Sequence, residues 1–187
     1  HPNDGVLLAW TAHQNITLSE DLRVDRVFED SAPFITSAGG GDFWIEAGTV
    51  VSSHYLQWDP GEGSGTRVST TISLDSEVFA FITADQNLFD SDAALGLPGI
   101  DYNDFGLRGL ESGDTTVFNG GDVDISWAAS SPGDWTRLIT AYSPGGEEPP
   151  IGGVDMPSGA VPEPTAAAVF GLGLLVVNGS LRHRRNA

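Results

Sequence analysis

The chain has 187 residues, 40% of them hydrophobic, with 24 Gly, 11 Pro and no Cys. That length suits one domain of ordinary size plus appendages, and the missing cysteine excludes disulfides, thiolate metal ligands and cysteine nucleophiles. All 26 acidic residues and five of the eight arginines lie at or before Glu163, leaving a −21 body that repels phosphate backbones and excludes nucleic acid as a partner.

From residue 1 to Tyr142 the text reads as β strands. In "TRVSTTISL", Val68, Ile72 and Leu74 alternate with Ser69, Thr71 and Ser73, the period of a half-buried strand. "VFAFI" (Val78 to Ile82) is continuously apolar and predicts a strand buried on both faces, Phe79 and Phe81 on one and Val78, Ala80 and Ile82 on the other. "VDISWA" sets Val123, Ile125 and Trp127 against Asp124 and Ser126, and "WTRLITAY" closes the series. Between these runs sit "SAGGGD", "DPGEGSG", "FNGGD" and "SSPGD", each rich in turn formers. Short strands with this punctuation predict an all-β fold, an antiparallel β-sandwich. Only "DSDAALGL" has the makings of a helical turn.

Directly after "VFAFI", the stretch "DQNLFDSD" places four hard oxygen donors within eight residues: Asp85, Asn87, Asp90 and Asp92. With loop carbonyls and water they would approach the 6–8 oxygens that calcium takes, and clustered carboxylates on an acidic body gain from a divalent ion. Phe89 breaks the donor spacing of a helix–loop–helix calcium loop. The competing reading is that Asp90 and Asp92 cap a short helical turn and Asp85 ends a strand. No other cofactor is expected.

No base stands beside a nucleophile, and the chain is not expected to be an enzyme. His54 and Asp59 share one segment, but residues five apart on a strand do not converge. Arg108 and Glu111, in "RGLE", read as local ion pairs or strand-end caps, and Arg67, Arg108 and Arg137 as cations each shared by several carboxylates. For sugar stacking the aromatics to weigh are Trp44, Trp58, Trp127 and Trp135. Trp127 alternates into the core, whereas Trp135, in the turn "SPGDWT", is the best exposed candidate for ligand binding.

Residues 143–160 change character: nine of the eighteen are Gly or Pro and no apolar period survives, as in an extended spacer. Behind it, Thr165 to Leu181 carries no charge and is followed at once by Arg182, His183, Arg184 and Arg185. As a helix this run would span about 25 Å, a marginal match to a hydrocarbon core of about 30 Å. A basic cluster directly after an apolar span holds the C-terminus on the cytoplasmic side, so Arg182, Arg184 and Arg185 read as a stop-transfer signal.

Pro162-Glu163-Pro164, the marginal transmembrane helix and the terminal arginines together resemble the PEP-CTERM sorting signal of Gram-negative bacteria, over Val161 to Ala187. The resemblance implies an exported protein anchored first in the inner membrane. It further implies processing near Pro162, Glu163 and Pro164 by an exosortase-type membrane transpeptidase, then release to the cell surface or the exopolysaccharide matrix. It implies no activity. More loosely, "SHYLQWDP", "FITAD", "SDAALGLPG", "RGLE" and "RLIT" are similar to an uncharacterised domain recurring in bacterial exported proteins with such tails. The expectation is a cell-surface or extracellular-matrix protein, structural or adhesive, with a carbohydrate-binding module of the matrix as the alternative.

Overall fold

The computed structural model describes residues 5–61, 65–102, 108–130 and 133–145. They are mostly β, in antiparallel sheets, with one helix. The strands are β1 (Leu7–Thr17), β2 (Leu22–Val24), β3 (Arg26–Val27), β4 (Ile35–Gly39), β5 (Asp42–Ile45), β6 (Val50–Trp58), β7 (Thr66–Ser73), β8 (Val78–Ile82), β9 (Thr115–Asn119), β10 (Asp122–Ala129) and β11 (Asp134–Thr140). The helix, α1, runs Asp85–Leu95 between β8 and β9.

A five-stranded sheet in the order β1-β6-β11-β8-β3 forms the middle layer. Its inner strands β6 and β11 are buried almost throughout, because both of their faces are covered. One face carries Leu56, Trp58, Val78, Phe81 and Leu138, which pack with Val123, Ile125 and Trp127 of the sheet β7-β10-β9. The other carries Val51, Tyr55, Ala80, Ile82, Trp135 and Ile139, packed under Leu88 and Leu95 of α1 and under Leu22, Val24, Ile35 and Ile45 of the sheet β2-β5-β4. The expectation of two facing sheets thus leaves out a layer made by the helix and the small sheet.

Strand β10 follows the expected alternation: Val123, Ile125 and Trp127 are buried and Asp124 and Ala128 exposed. Gly120, with φ of +67°, makes the turn between β9 and β10 in the left-handed conformation that glycine adopts without strain. Strand β8 corrects its expected faces. Its pairing with β11 runs from Ala80 opposite Ile139 to Val78 opposite Thr140, so Phe79 is a bulged extra residue. Beyond the bulge the faces change over: Phe79 packs on the helix side, against Phe34 at 4.7 Å between ring centres, and Phe81 on the opposite side, against Phe118 at 4.5 Å.

The eleven-residue α1 replaces the single helical turn expected within "DSDAALGL". Its buried positions are Asn87, Leu88, Ser91 and Leu95, a stripe at helical spacing with only two apolar members, too sparse to stand out as a period. Its start is capped from a distance. Ala84 makes no side-chain cap, but the Asp25 carboxylate accepts the Thr83 and Ala84 N–H groups, putting negative charge where the helix dipole favours it.

The body's bonding reaches past Tyr142, as far as the Gly145 backbone, which hydrogen-bonds Asp75. Ser143 is fully buried; its N–H donates to Asn15 Oδ1 at 2.7 Å, its carbonyl accepts from Asn15 Nδ2 at 2.9 Å, and its hydroxyl donates to Asp75. Asn15 makes these bonds from the left-handed region, at φ of +51°, which an Asn tolerates better than most residues. Because Phe81 and Ile82 lie on opposite faces of a covered sheet, truncation at either should be severe. Phe81→Ala is expected to cost about 3–5 kcal/mol and Ile82→Ala about 2–5 kcal/mol in urea unfolding. A near-neutral result at one of them would leave that face uncovered.

Candidate functional site

The four residues of "DQNLFDSD" do not converge. On a helix, Asp85 and Asp92 point to one side and Asn87 and Asp90 away from it. Asp85 accepts the Gly109 N–H, and buried Asn87 donates to Asp25 and Asp42. Exposed Asp90 accepts from Gln86 at 2.8 Å. Asp92 is committed to two guanidiniums: Arg108 Nη2 lies 2.9 and 2.8 Å from its two oxygens, and Arg137 Nη2 lies 2.7 Å from Oδ1. The expected calcium shell at Asp85, Asn87, Asp90 and Asp92 is therefore corrected to a capped helix carrying an ion-pair anchor.

That anchor sits under the helix. Arg108 and Arg137 are 1% and 0% exposed, in the layer between α1 and the middle sheet. Arg137 also donates to Ser53, Ser91 and the Leu95 carbonyl, and its guanidinium lies 4.9 Å from the Tyr55 ring centre. Arg108 lies over Trp135 at 5.8 Å and donates to the Tyr55 hydroxyl. Here one carboxylate serves two arginines. Arg67 bonds the carbonyl and hydroxyl of Ser126.

Trp135 is 2% exposed, so the expected exposed sugar platform is corrected to a core residue: β11 begins at Asp134 and carries Trp135 into the middle sheet. Trp58 and Trp127 are buried as well, and Trp44 is half-buried beneath the Arg23 guanidinium at 5.9 Å. His54 shares hydrogen bonds with the Thr11 and Thr140 hydroxyls, at 2.9 and 3.2 Å. Burial depresses its basicity, against a smaller opposing pull from Asp75. Asp59 instead accepts the Gly61 N–H, in the turn it opens.

The feature missing from the sequence reading is a carboxylate cluster at the other end of β11. Glu111, Asp114 and Asp134 each offer an oxygen within 4.8 Å of the others. Asp134 opens β11 opposite Trp58, behind Gly133, whose φ of +87° and close approach to the Trp58 carbonyl leave no room for a Cβ. Asp114 is fixed by two donors, Glu111 N–H to Oδ2 at 2.9 Å and Ala128 N–H to Oδ1 at 2.8 Å, while its own N–H closes the turn onto the Glu111 carbonyl. Asp134 and Asp114 are buried, and Glu111 is exposed at the rim. The Asp134 carboxyl shares a hydrogen bond with the Glu111 side chain. Burial first, and then the charges of Asp114 and Glu111, push the Asp134 carboxyl up to about 8 against a smaller opposing effect of Arg67. Glu111 is also raised, chiefly by burial. A hint existed in "ESGD" and "SSPGD", but each reads as an ordinary turn, and only the fold brings them together.

Pro162, Glu163, Pro164, Arg182, Arg184 and Arg185 lie outside the described residues. No helix among the described residues is long and apolar enough to cross a membrane. No family model, curated protein or solved structure matches the chain.

Two outcomes follow from this geometry. Asp92→Ala leaves two buried guanidiniums without their carboxylate and should cost about 3–5 kcal/mol in urea unfolding. A loss below about 1 kcal/mol would show that water reaches and solvates the arginines. The raised Asp134 acid holds its proton in the folded state up to about pH 8, while an unfolded aspartate releases it near 3.8. Its contribution to stability is therefore complete below about pH 4 and is lost as pH rises toward 8. In chelator, the urea midpoint of the native chain should fall more between pH 5 and pH 8 than that of Asp134→Asn; equal falls would mean that Asp134 ionises as freely as in water.

Proposed function

We propose that this chain is an exported cell-surface or extracellular-matrix protein whose β body, a sandwich with an added helical layer, has a structural or adhesive role. The observation that carries the sorting half is the order of parts after the body: a Gly/Pro-rich spacer, Pro162-Glu163-Pro164, an uncharged run from Thr165 to Leu181, and Arg182, Arg184 and Arg185. Prolines bias the residues before them toward extended backbone, so Val161 and Glu163 would present a peptide that a membrane transpeptidase of the exosortase type can hold. The uncharged run would serve as the transmembrane helix and the arginines as its cytoplasmic stop.

The role of the body rests on its aromatic residues. Stacking on a pyranose needs an exposed ring face, and Trp58, Trp127 and Trp135 all lie in the core. That favours a structural or adhesive module over the carbohydrate-binding alternative.

Deleting residues 161–187 should move the protein from the membrane fraction to the soluble fraction with its β circular dichroism intact. Aggregation or loss of that signal would make the apolar run part of the core instead. Replacing Arg182, Arg184 and Arg185 by Ser should weaken membrane retention while leaving the body folded.

A further inference from the structure

Three large apolar side chains stand exposed around one groove beside α1: Phe89 at 46%, Leu97 at 38% and Ile100 at 49%. The groove holds about 530 Å3, and Ala93, Pro98 and Tyr102 continue its apolar lining. A surface helix normally turns its apolar residues inward. Here the inner face of α1 is half polar, with Asn87 and Ser91 buried, while Phe89 is left outside. Hydrogen bonds fix the groove in shape. The Tyr102 hydroxyl accepts the Leu97 N–H at 2.8 Å, and His13 Nε2 donates to the Gly96 carbonyl at 2.9 Å. The Ile100 N–H closes a turn onto the Leu97 carbonyl at 3.2 Å, with Pro98 and Gly99, at φ of +83°, at its corner.

We propose that this groove is the docking site for a basic amphipathic helix of a partner protein. An exposed apolar cluster with a polar rim is the anatomy of an interaction surface. Charge selects the occupant. Exposed Asp90 and Asp101 adjoin Phe89 and Ile100 in the chain, and no arginine lines the groove among the described residues. Arg108 and Arg137 are buried and held by Asp92, and the sequence has no lysine. A second copy of this chain, with a formal net charge of −18, and an anionic lipid surface would both meet repulsion. A helix with leucines on one face and arginine or lysine on the flanks would bury that face and set its cations against the aspartates. The sizes agree. From Phe89 to the helix end at Leu95, α1 rises about 9 Å at 1.5 Å per residue, and the turn extends the ridge to Leu97 and Ile100. The i and i+7 anchors of a partner helix lie about 10 Å apart.

The inference does not rest on the sorting tail. It is tested on the full chain in nanodiscs of zwitterionic lipid, with empty nanodiscs as the blank. The probe is a fluorescent peptide of leucine and arginine, about 18 residues long with its leucines at helical spacing. Its twin carries glutamate for every arginine, and binding is read by anisotropy. The arginine peptide should bind about tenfold more tightly than the twin. Phe89→Ser and Leu97→Ser should each weaken it about tenfold, as loss of a buried anchor does. Asp90→Asn combined with Asp101→Asn should weaken it severalfold, whereas Val117→Ser, exposed on β9, should leave it unchanged. Native-strength binding in both serine variants overturns the site, and equal binding of the two peptides overturns the basic partner. A dimer in mild detergent that Phe89→Ser makes monomeric would give the groove to a second copy and overturn the proposal. Both side chains are exposed, so the serine variants should keep the native thermal midpoint; if Leu97→Ser does not, Phe89→Ser alone decides.

Discussion

The Asp92 carboxylate holds the helical layer to the sheet. From α1 it reaches Arg137 in β11 and Arg108 in the segment before β9, so three stretches far apart in sequence meet at one anion. The rings of Tyr55 and Tyr102 line the space around both guanidiniums, and Trp135 adds a third face beside Arg108. A cation over a ring face is attracted by the ring's quadrupole, most strongly where water is excluded. Arg137 also donates to the carbonyl of Leu95, at the negative end of the helix dipole. Without this anchor, α1 would rest on the sheet through two leucines, a narrow contact for an eleven-residue helix.

The two ends of β11 treat buried charge in opposite ways. At Arg137 a cation is enclosed with its counter-ion, hydroxyls and aromatic faces, so that nearly every donor has a place to go. At Asp134, three residues earlier, carboxylates gather without an equivalent cation. An apolar pair of strands would have been simpler at both places. The first arrangement fixes which helix face meets the sheet, and the second gathers negative charge that a proton shared by Asp134 and Glu111 offsets.

Much of the β pattern was legible because half-buried strands write their burial into alternate residues. Val123, Ile125 and Trp127 on β10 are the clearest case. The helix was hidden because its buried face is half polar: Asn87 and Ser91 hydrogen-bond inside the body and leave Leu88 and Leu95 as the only apolar markers. Trp135 was misplaced since the Gly and Pro before it announce a turn, whereas the strand starts one residue earlier and lies at the centre of the sheet. The bulge at Phe79 changes the faces of an all-apolar strand, in which no polar residue marks the outside. The carboxylate cluster joins residues twenty apart through strand order, which local spacing does not encode.

The order of the middle sheet has a consequence for how the chain acquires its shape. Strand β11, the last in sequence among the described residues, lies between β6 and β8, which do not pair with each other. Until residues 134–140 have left the ribosome, the earlier strands lack the partner that joins them, and the two cores have no shared wall. Bringing such distant segments together costs loop-closure entropy before any contact rewards it, so assembly is slow and concerted. A nascent chain built this way leaves β6 and β8 unjoined until β11 has emerged, then closes around that strand.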